Sequence, residues 1–198
     1  MVEEETAMNV SVDRIREFLA RHDRKELNNP ALRHAAVLIL LFPKQGNLHI
    51  LLTKRTDHVE HHKGQISFPG GARDAQDADL VATALRETEE EIGLPPGVVQ
   101  VLGLFDDFET PSGFAITPVV GFSASLPPLS PSLHEVAEII EVPLELFLDR
   151  NNERVVKMER KGKIHEVFFY NYQGYEIWGA TAAMIRNFLS ALGGDKMA

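Results

Sequence analysis

Apolar residues first fall into a helical rhythm near the start of the chain, where Val12, Ile15, Phe18 and Leu19 follow Ser11, a residue able to cap a helix. The spacing predicts an amphipathic helix over about residues 11–27, closed by Asn28-Asn29-Pro30. Two apolar runs come next, at residues 35–42 and 48–53, and the intervening Pro43-Lys44-Gln45-Gly46-Asn47 reads as the turn of a β-hairpin. Residues 53–79 show no clear period and read as loop-rich. A second helical pattern occupies residues 79–92 and is stopped by Gly93 and Pro95-Pro96. Strand-like runs follow at 98–105, 114–122, 138–142, 154–158 and 164–170. Met184, Ile185, Phe188, Leu189 and Leu192 mark a closing helix that ends at Gly193-Gly194. Strands interleaved with a few helices, with no repeat and no low-complexity linker, predict an α/β fold. Its mixed sheet is covered on both faces, and one domain spans residues 1–198.

Composition narrows the chemistry. The 198 residues, 44% hydrophobic and 25% charged, suffice for one sizeable core. The chain has no cysteine, which excludes disulfides, thiolate zinc sites and a cysteine nucleophile, and fits a reducing compartment. Its first six residues lack a signal-peptide layout and its longest apolar run, residues 35–42, is too short to span a bilayer; a cytoplasmic protein with no membrane partner is expected. A formal charge of -9 and the lack of a Lys/Arg cluster argue against nucleic-acid binding. A small polyanionic substrate would then need metal ions and a few local cations.

The second helix supplies the metal chemistry. At about 100° per residue, Val81, Ala84, Leu85, Thr88 and Ile92 share a mostly apolar face, and Glu87, Glu90 and Glu91 fall together beside it. Glu89 points to the far side, and Arg86 is turned away from the three glutamates. Like charges at i,i+4 cost about 0.2–0.5 kcal/mol per pair, and carboxylates in the last helical turns oppose the macrodipole at about 0.3–1 kcal/mol each. A bound cation reverses both costs, so the cluster is better read as a site for a hard divalent ion than as a solvated face. Just upstream, Phe68-Pro69-Gly70-Gly71 forms a stiffened loop whose paired glycines let bare backbone approach a ligand closely.

The glycine loop followed by Arg86-Glu87-Thr88-Glu89-Glu90-Glu91-Ile92-Gly93-Leu94 resembles the box of the Nudix family. That resemblance implies an α/β/α sandwich with a mixed sheet and magnesium or manganese as cofactor. It makes Glu87, Glu90 and Glu91 metal-binding carboxylates and the Gly71 carbonyl a further ligand. Arg86 would orient the loop and helix through a salt bridge. Compared with the box, the interval from Gly71 to Arg86 is one residue longer, the upstream glutamate is missing, and Thr88 stands where an apolar residue is usual. Asp77 and Asp79 are the nearest substitutes for the missing acid.

Residues 51–56, Leu-Leu-Thr-Lys-Arg-Thr, with Gly64 and Phe68-Pro69-Gly70-Gly71, resemble the further signature of the coenzyme A pyrophosphatase branch, although Glu60 stands where Arg is expected. Residues 110–121 and 177–182 also resemble that branch, and the likeness covers about residues 34–190. It implies hydrolysis of coenzyme A or acyl-coenzyme A to 3′,5′-ADP and (acyl-)4′-phosphopantetheine. Arg55, Lys63 and Gly70 are the candidate substrate-binding residues, Arg55 and Lys63 being cations in an otherwise acidic chain. His58, His61 and His62 are further candidates for phosphate binding or proton transfer. Glu91 and Glu135 are the alternative general bases, with Asp106, Asp107 and Glu109 as rivals to Glu135. Other Nudix activities, on ADP-ribose or a nucleoside triphosphate, remain open, as do a non-catalytic nucleotide sensor and a homodimer.

Overall fold

The computed structural model describes residues 10–56, 64–160 and 162–194. In chain order the elements are α1 (Val12–Arg21), β1 (Arg33–Lys44), β2 (Asn47–Arg55), β3 (Ile66–Ser67), β4 (Gly70–Ala72), α2 (Leu80–Ile92), β5 (Gln100–Leu104), β6 (Phe108–Glu109), β7 (Phe114–Phe122), β8 (Val136–Pro143), α3 (Glu145–Leu148), β9 (Glu153–Arg160), β10 (Lys163–Tyr172), β11 (Tyr175–Trp178) and α4 (Gly179–Gly194). The large sheet runs β3-β2-β1-β7-β5, with β8 added to β2, β4 to β1 and β6 to β7. Its β1–β7 pairing is parallel and the others are antiparallel, so the sheet is mixed. A smaller antiparallel sheet, β11-β10-β9, packs against it without sharing its backbone hydrogen bonds.

Strand β1 is a continuous apolar run because both of its faces are covered. Ala36, Leu38 and Leu40 pack with Ala84 and Ile92 of α2, whereas Val37, Ile39 and Leu41 pack with residues of α1, α4 and the small sheet. This is the expected layered α/β arrangement, with α2 the one helix on its side among the described residues. The β1–β2 hairpin closes through Gln45 and Gly46, both at positive φ (52° and 86°), as a two-residue turn matched to strand twist requires. Among the described residues, no helix is long and apolar enough to cross a membrane.

Three local readings change. Helix α1 has its Ser11 cap but ends at Arg21, well before Asn28-Asn29-Pro30. The chain leaves the helix there because His22 pairs with Asp106 (2.7 Å) and stacks on Phe105, while the Lys25 and Leu27 N–H groups donate to Asp106 (3.0 Å) and Asp107 (2.8 Å). The segment read as loop-rich contains β3 and β4, too short to show a period and held by pairing with β2 and β1. Strand β5 starts only at Gln100, after a 3₁₀ turn over Pro96–Val98.

Candidate active site

Helix α2 is built by its own end signals. The Asp79 carboxylate accepts from the Ala82 N–H at 2.8 Å, and Gly93 stops the helix in the left-handed region at φ 70°. Thr83, Ala84, Thr88, Glu91 and Ile92 are its buried residues. Thr88, the unusual hydroxyl on the apolar face, donates to the Ala84 carbonyl at 2.6 Å, so its burial leaves no unpaired donor.

The glycine loop lies against this helix as strand β4, with Val37 opposite Gly70 and Ala36 opposite Gly71. Both glycines are needed for space. Gly70 has φ 147°, and a Cβ there would meet the Ala36 carbonyl oxygen at 2.3 Å; a Cβ on Gly71 would stand 2.5 Å from the Glu87 carboxyl carbon. The Glu87 carboxylate therefore rests directly on Gly71.

Glu91 is the most enclosed acid of the site, only 4% exposed. Its Oε2 accepts from the Gly70 N–H at 3.2 Å, and an Arg55 guanidinium nitrogen lies 3.9 Å from Oε1. Burial pushes the Glu91 carboxyl up to about 7; the Gly70 bond and Arg55 pull it back, and the charges of Glu135 and Glu87 push it further. Burial also raises Glu87, against the pull of Arg86 and with added pushes from Glu90 and Glu135. Glu135 is exposed, and its backbone carbonyl accepts from Thr56 N–H at 2.9 Å, which fixes it near the end of β2. The Arg55 Nε is buried with no hydrogen-bond partner among the described residues, an uncompensated donor beside Glu91.

Arg86 corrects the helical-wheel reading. Its guanidinium is not turned away from the glutamates: one nitrogen donates to Glu87 at 2.8 Å and to Glu90 at 3.1 Å. The remaining nitrogens grip both oxygens of Asp77 at 2.9 Å and reach the Ala72 carbonyl at 3.3 Å. The wheel fixes where Cβ points, and a side chain this long reaches both the adjacent residue and i+4. Asp77, not Asp79, is thus the acid that meets Arg86 across the lengthened loop. The guanidinium holds the Asp77 carboxyl well below the ordinary carboxylate range, and Asp77 in turn raises Arg86.

Glu87 and Glu91 are brought together at the glycine loop with Glu135 in electrostatic reach, but Glu90 is mostly exposed and held by Arg86. Among the described residues, no three His, Asp or Glu side chains stand close enough to hold a metal ion, so the expected convergence of all three helix glutamates is not seen. Arg86 is the physical reason, since it draws Glu90 to itself at 3.1 Å. The donor set still suits a hard ion. Two desolvated carboxylates, each with its charge disfavoured, offer oxygen ligands to a divalent cation that would relieve the penalty. Lys63, with His58, Glu60, His61 and His62, lies outside the described residues.

The rivals to Glu135 are placed elsewhere. Asp107 accepts from Arg24 (2.7 Å), Thr117 (2.7 Å) and the Leu27 N–H (2.8 Å), and Asp106 from His22 (2.7 Å). Both serve the strap between α1 and β1, while Glu109 is exposed on the two-residue strand β6. Sequence reasoning overlooked the Gly70 N–H as a partner of Glu91; a glycine followed at helical distance by a buried carboxylate is a signal too general to have found it.

A model described as the NUDIX domain matches residues 32–169. A protein of Enterobacter sp. (strain 638) named Uncharacterized Nudix hydrolase NudL is 39% identical over 187 residues, covering 89% of this chain and 94% of that protein. The NudL of Escherichia coli O7:K1 (strain IAI39 / ExPEC) is 38% identical with the same coverage of each chain. Among solved structures, RenU, a Nudix hydrolase from M. smegmatis, superposes with a TM-score of 0.56 at 20% identity over 84% of this chain and 89% of that one, a likeness of fold alone.

Proposed function

The chain belongs to the Nudix family of hydrolases, which act on pyrophosphate bonds and generally use divalent metal ions, and on that premise we propose that it cleaves the pyrophosphate of coenzyme A or an acyl-coenzyme A. The products are 3′,5′-ADP and 4′-phosphopantetheine or its acyl form, and the ion is magnesium or manganese. One observation carries the hydrolase chemistry: an acid almost wholly removed from water, Glu91, sits between the backbone N–H of the glycine loop and a guanidinium with an unused donor. Support for coenzyme A as substrate is the likeness of residues 51–71 and 177–182 to that branch.

In this reading Glu87 and Glu91 would hold the ion, with Glu135 and the Gly71 carbonyl as further oxygen donors, while Glu90 stays with Arg86. When bound, the ion supplies Lewis acidity that neutralises phosphate charge and makes water easier to deprotonate. The chain's own groups do the rest. Glu91, oriented by the Gly70 N–H, accepts the proton of the attacking water; Glu135 is the alternative acceptor. Arg55 turns its unpaired Nε to a phosphate oxygen, and its positive charge steadies Glu91. Arg86 binds no substrate and positions Glu87 and the loop through Asp77.

The test is product analysis after incubation with magnesium and, separately, coenzyme A, dephospho-coenzyme A, ADP-ribose and nucleoside triphosphates. Release of 3′,5′-ADP from coenzyme A at the highest catalytic efficiency is expected. Equal or better cleavage of ADP-ribose removes the substrate assignment and leaves the hydrolase.

A further inference from the structure

The arginines of this acidic chain are mostly committed: Arg24, Arg55, Arg86, Arg154 and Arg186 each lie within ion-pair distance of a carboxylate. Arg33 and Arg73 differ. Among the described residues neither meets a carboxylate, and both line the same hollow, of about 550 Å³, together with His34 and Asp74. Arg33 sits over Phe114, its guanidinium carbon 4.1 Å from the ring centroid, which holds the head group in place without neutralising it. Arg73 donates one guanidinium nitrogen to the Asp77 and Ala78 carbonyls at 3.3 Å, neutral partners that fix it and leave its charge standing. The opposing acid, Asp74, is occupied in its own turn, where it accepts from the Gln76 N–H at 2.8 Å. The hollow therefore carries net positive charge in a chain of formal charge -9.

Its position connects it to the site. Ala72, in the wall of the hollow, follows Gly71 directly, and the Arg73 N–H donates to the His34 carbonyl at 3.0 Å, which continues the β1–β4 pairing. Arg73 is two residues, about 7 Å of chain, from the glycine on which Glu87 rests. A ribose ring with phosphoester groups on two of its carbons spans a distance of the same order. We propose that this hollow is a subsite for a phosphate monoester carried on the ribose of the substrate, gripped by Arg33 and Arg73 while the pyrophosphate lies at Glu87 and Glu91. The inference rests on the nucleotide-pyrophosphatase reading and deepens it: it assigns selection of a ribose phosphate to Arg33 and Arg73, leaving Arg55 to Glu91 and the pyrophosphate. Arginine suits the task because its planar fork meets two phosphate oxygens at once.

The experiment is calorimetric titration of the full-length protein with adenosine 3′,5′-bisphosphate and with adenosine 5′-monophosphate, without divalent ions, in wild type, Arg33→Ala, Arg33→Lys and Arg73→Ala. Wild type should bind the bisphosphate about tenfold more tightly, the scale of a charge-assisted contact. Arg33→Ala and Arg73→Ala should each bring the two affinities within about threefold, and Arg33→Lys should keep an intermediate preference. The proposal is overturned if wild type shows no preference, or if the preference survives Arg33→Ala in a protein whose circular dichroism is native. Should Arg33→Ala not fold, Arg73→Ala and Arg33→Lys decide on the same criterion. Catalytic efficiencies for coenzyme A and dephospho-coenzyme A separate the two levels: equal efficiencies sink the subsite and keep the hydrolase, whereas no cleavage of either sinks the substrate reading, and the binding ratio still judges the hollow.

Discussion

Two acidic clusters of this molecule are alike in composition and opposite in treatment. Asp106 and Asp107 are met by a histidine, an arginine, a threonine hydroxyl and two backbone N–H groups, so each carboxylate is paired, and among the described residues the unpaired Nε of Arg24 is the one group left over, as that of Arg55 is at the other cluster. Glu87 and Glu91 are desolvated with fewer compensations, and burial raises both carboxyls. Removing a partner from a satisfied buried acid is costly, and an under-compensated acid destabilises the fold until something else meets it. The first cluster fastens the strap between α1 and β1. The second is the site.

The sharpest way to break this contrast is Glu91→Gln. Hydrolysis should fall by about 10³-fold or more, the several kcal/mol of transition-state charge stabilisation assigned to metal and base, while the melting temperature of the metal-free protein holds or rises. Full activity in the folded variant would remove Glu91 from the mechanism. Asp107→Ala should do the reverse. It leaves Arg24 (17% exposed) with only the more exposed Glu26, at 3.5 Å, as a carboxylate partner, and should cost about 3 kcal/mol of stability, or roughly 6–12 °C in melting temperature, with turnover at permissive temperature little changed. A collapse of turnover at unchanged stability would make Asp107 a site residue after all.

Arg86→Gln lies between the two clusters in character, because Arg86 compensates Glu87 and Glu90 through one nitrogen and anchors Asp77 through the others. Manganese affinity measured by calorimetry should weaken about 10–100-fold, the usual cost of losing a group that orients ligands. A change confined to the Michaelis constant for substrate would contradict a positioning role.

The smallest expected effect is a pH dependence. With the Glu91 carboxyl at about 7 in the folded protein against its ordinary value of 4.5, the native state binds the extra proton between these values. Metal-free stability should therefore fall as pH rises from about 4.5 through 7, by a few degrees in melting temperature. In the EDTA-treated Glu91→Gln variant that slope should flatten, and an unchanged slope would assign it to other groups. Asp77, lowered by Arg86, works in the opposite sense, since its contribution is present above about pH 4 and is lost only as pH falls through its depressed value.

How much of this was legible in the sequence depended on the range of the cause. Helix α2 carries its own start and stop in Asp79 and Gly93, and the β1–β2 turn its own Gln45-Gly46, so both could be read locally. Strands β3 and β4 owe their existence to partners elsewhere, and no window of their own residues announces them. The end of α1 is decided by Asp106 and Asp107, more than eighty residues away. For the same reason those two aspartates looked like rivals to Glu135: residue type shows a carboxylate, and only the fold shows that its oxygens are already taken. The glutamates of α2 were legible as a group, but the pull of Arg86 on Glu90 was not, because it depends on where a long side chain reaches.

The parallel seam between β1 and β7 has a consequence for how the molecule comes into being. Arg33 pairs with Phe114 and Leu41 with Phe122, partners some eighty residues apart, whereas β1 finds β2 across two residues. Non-local closure of this kind is slow, and the hairpin forms well before it. Yet β1 is also the strand that receives Gly70 and Gly71, and its far-side neighbour β7 carries Val119 into the layer beneath α2. The glutamate site thus matures late, after the chain has been made through β7. In refolding from denaturant, recovery of hydrolysis should lag the return of backbone structure, and substitutions along the seam should lengthen that lag without touching any group of the site.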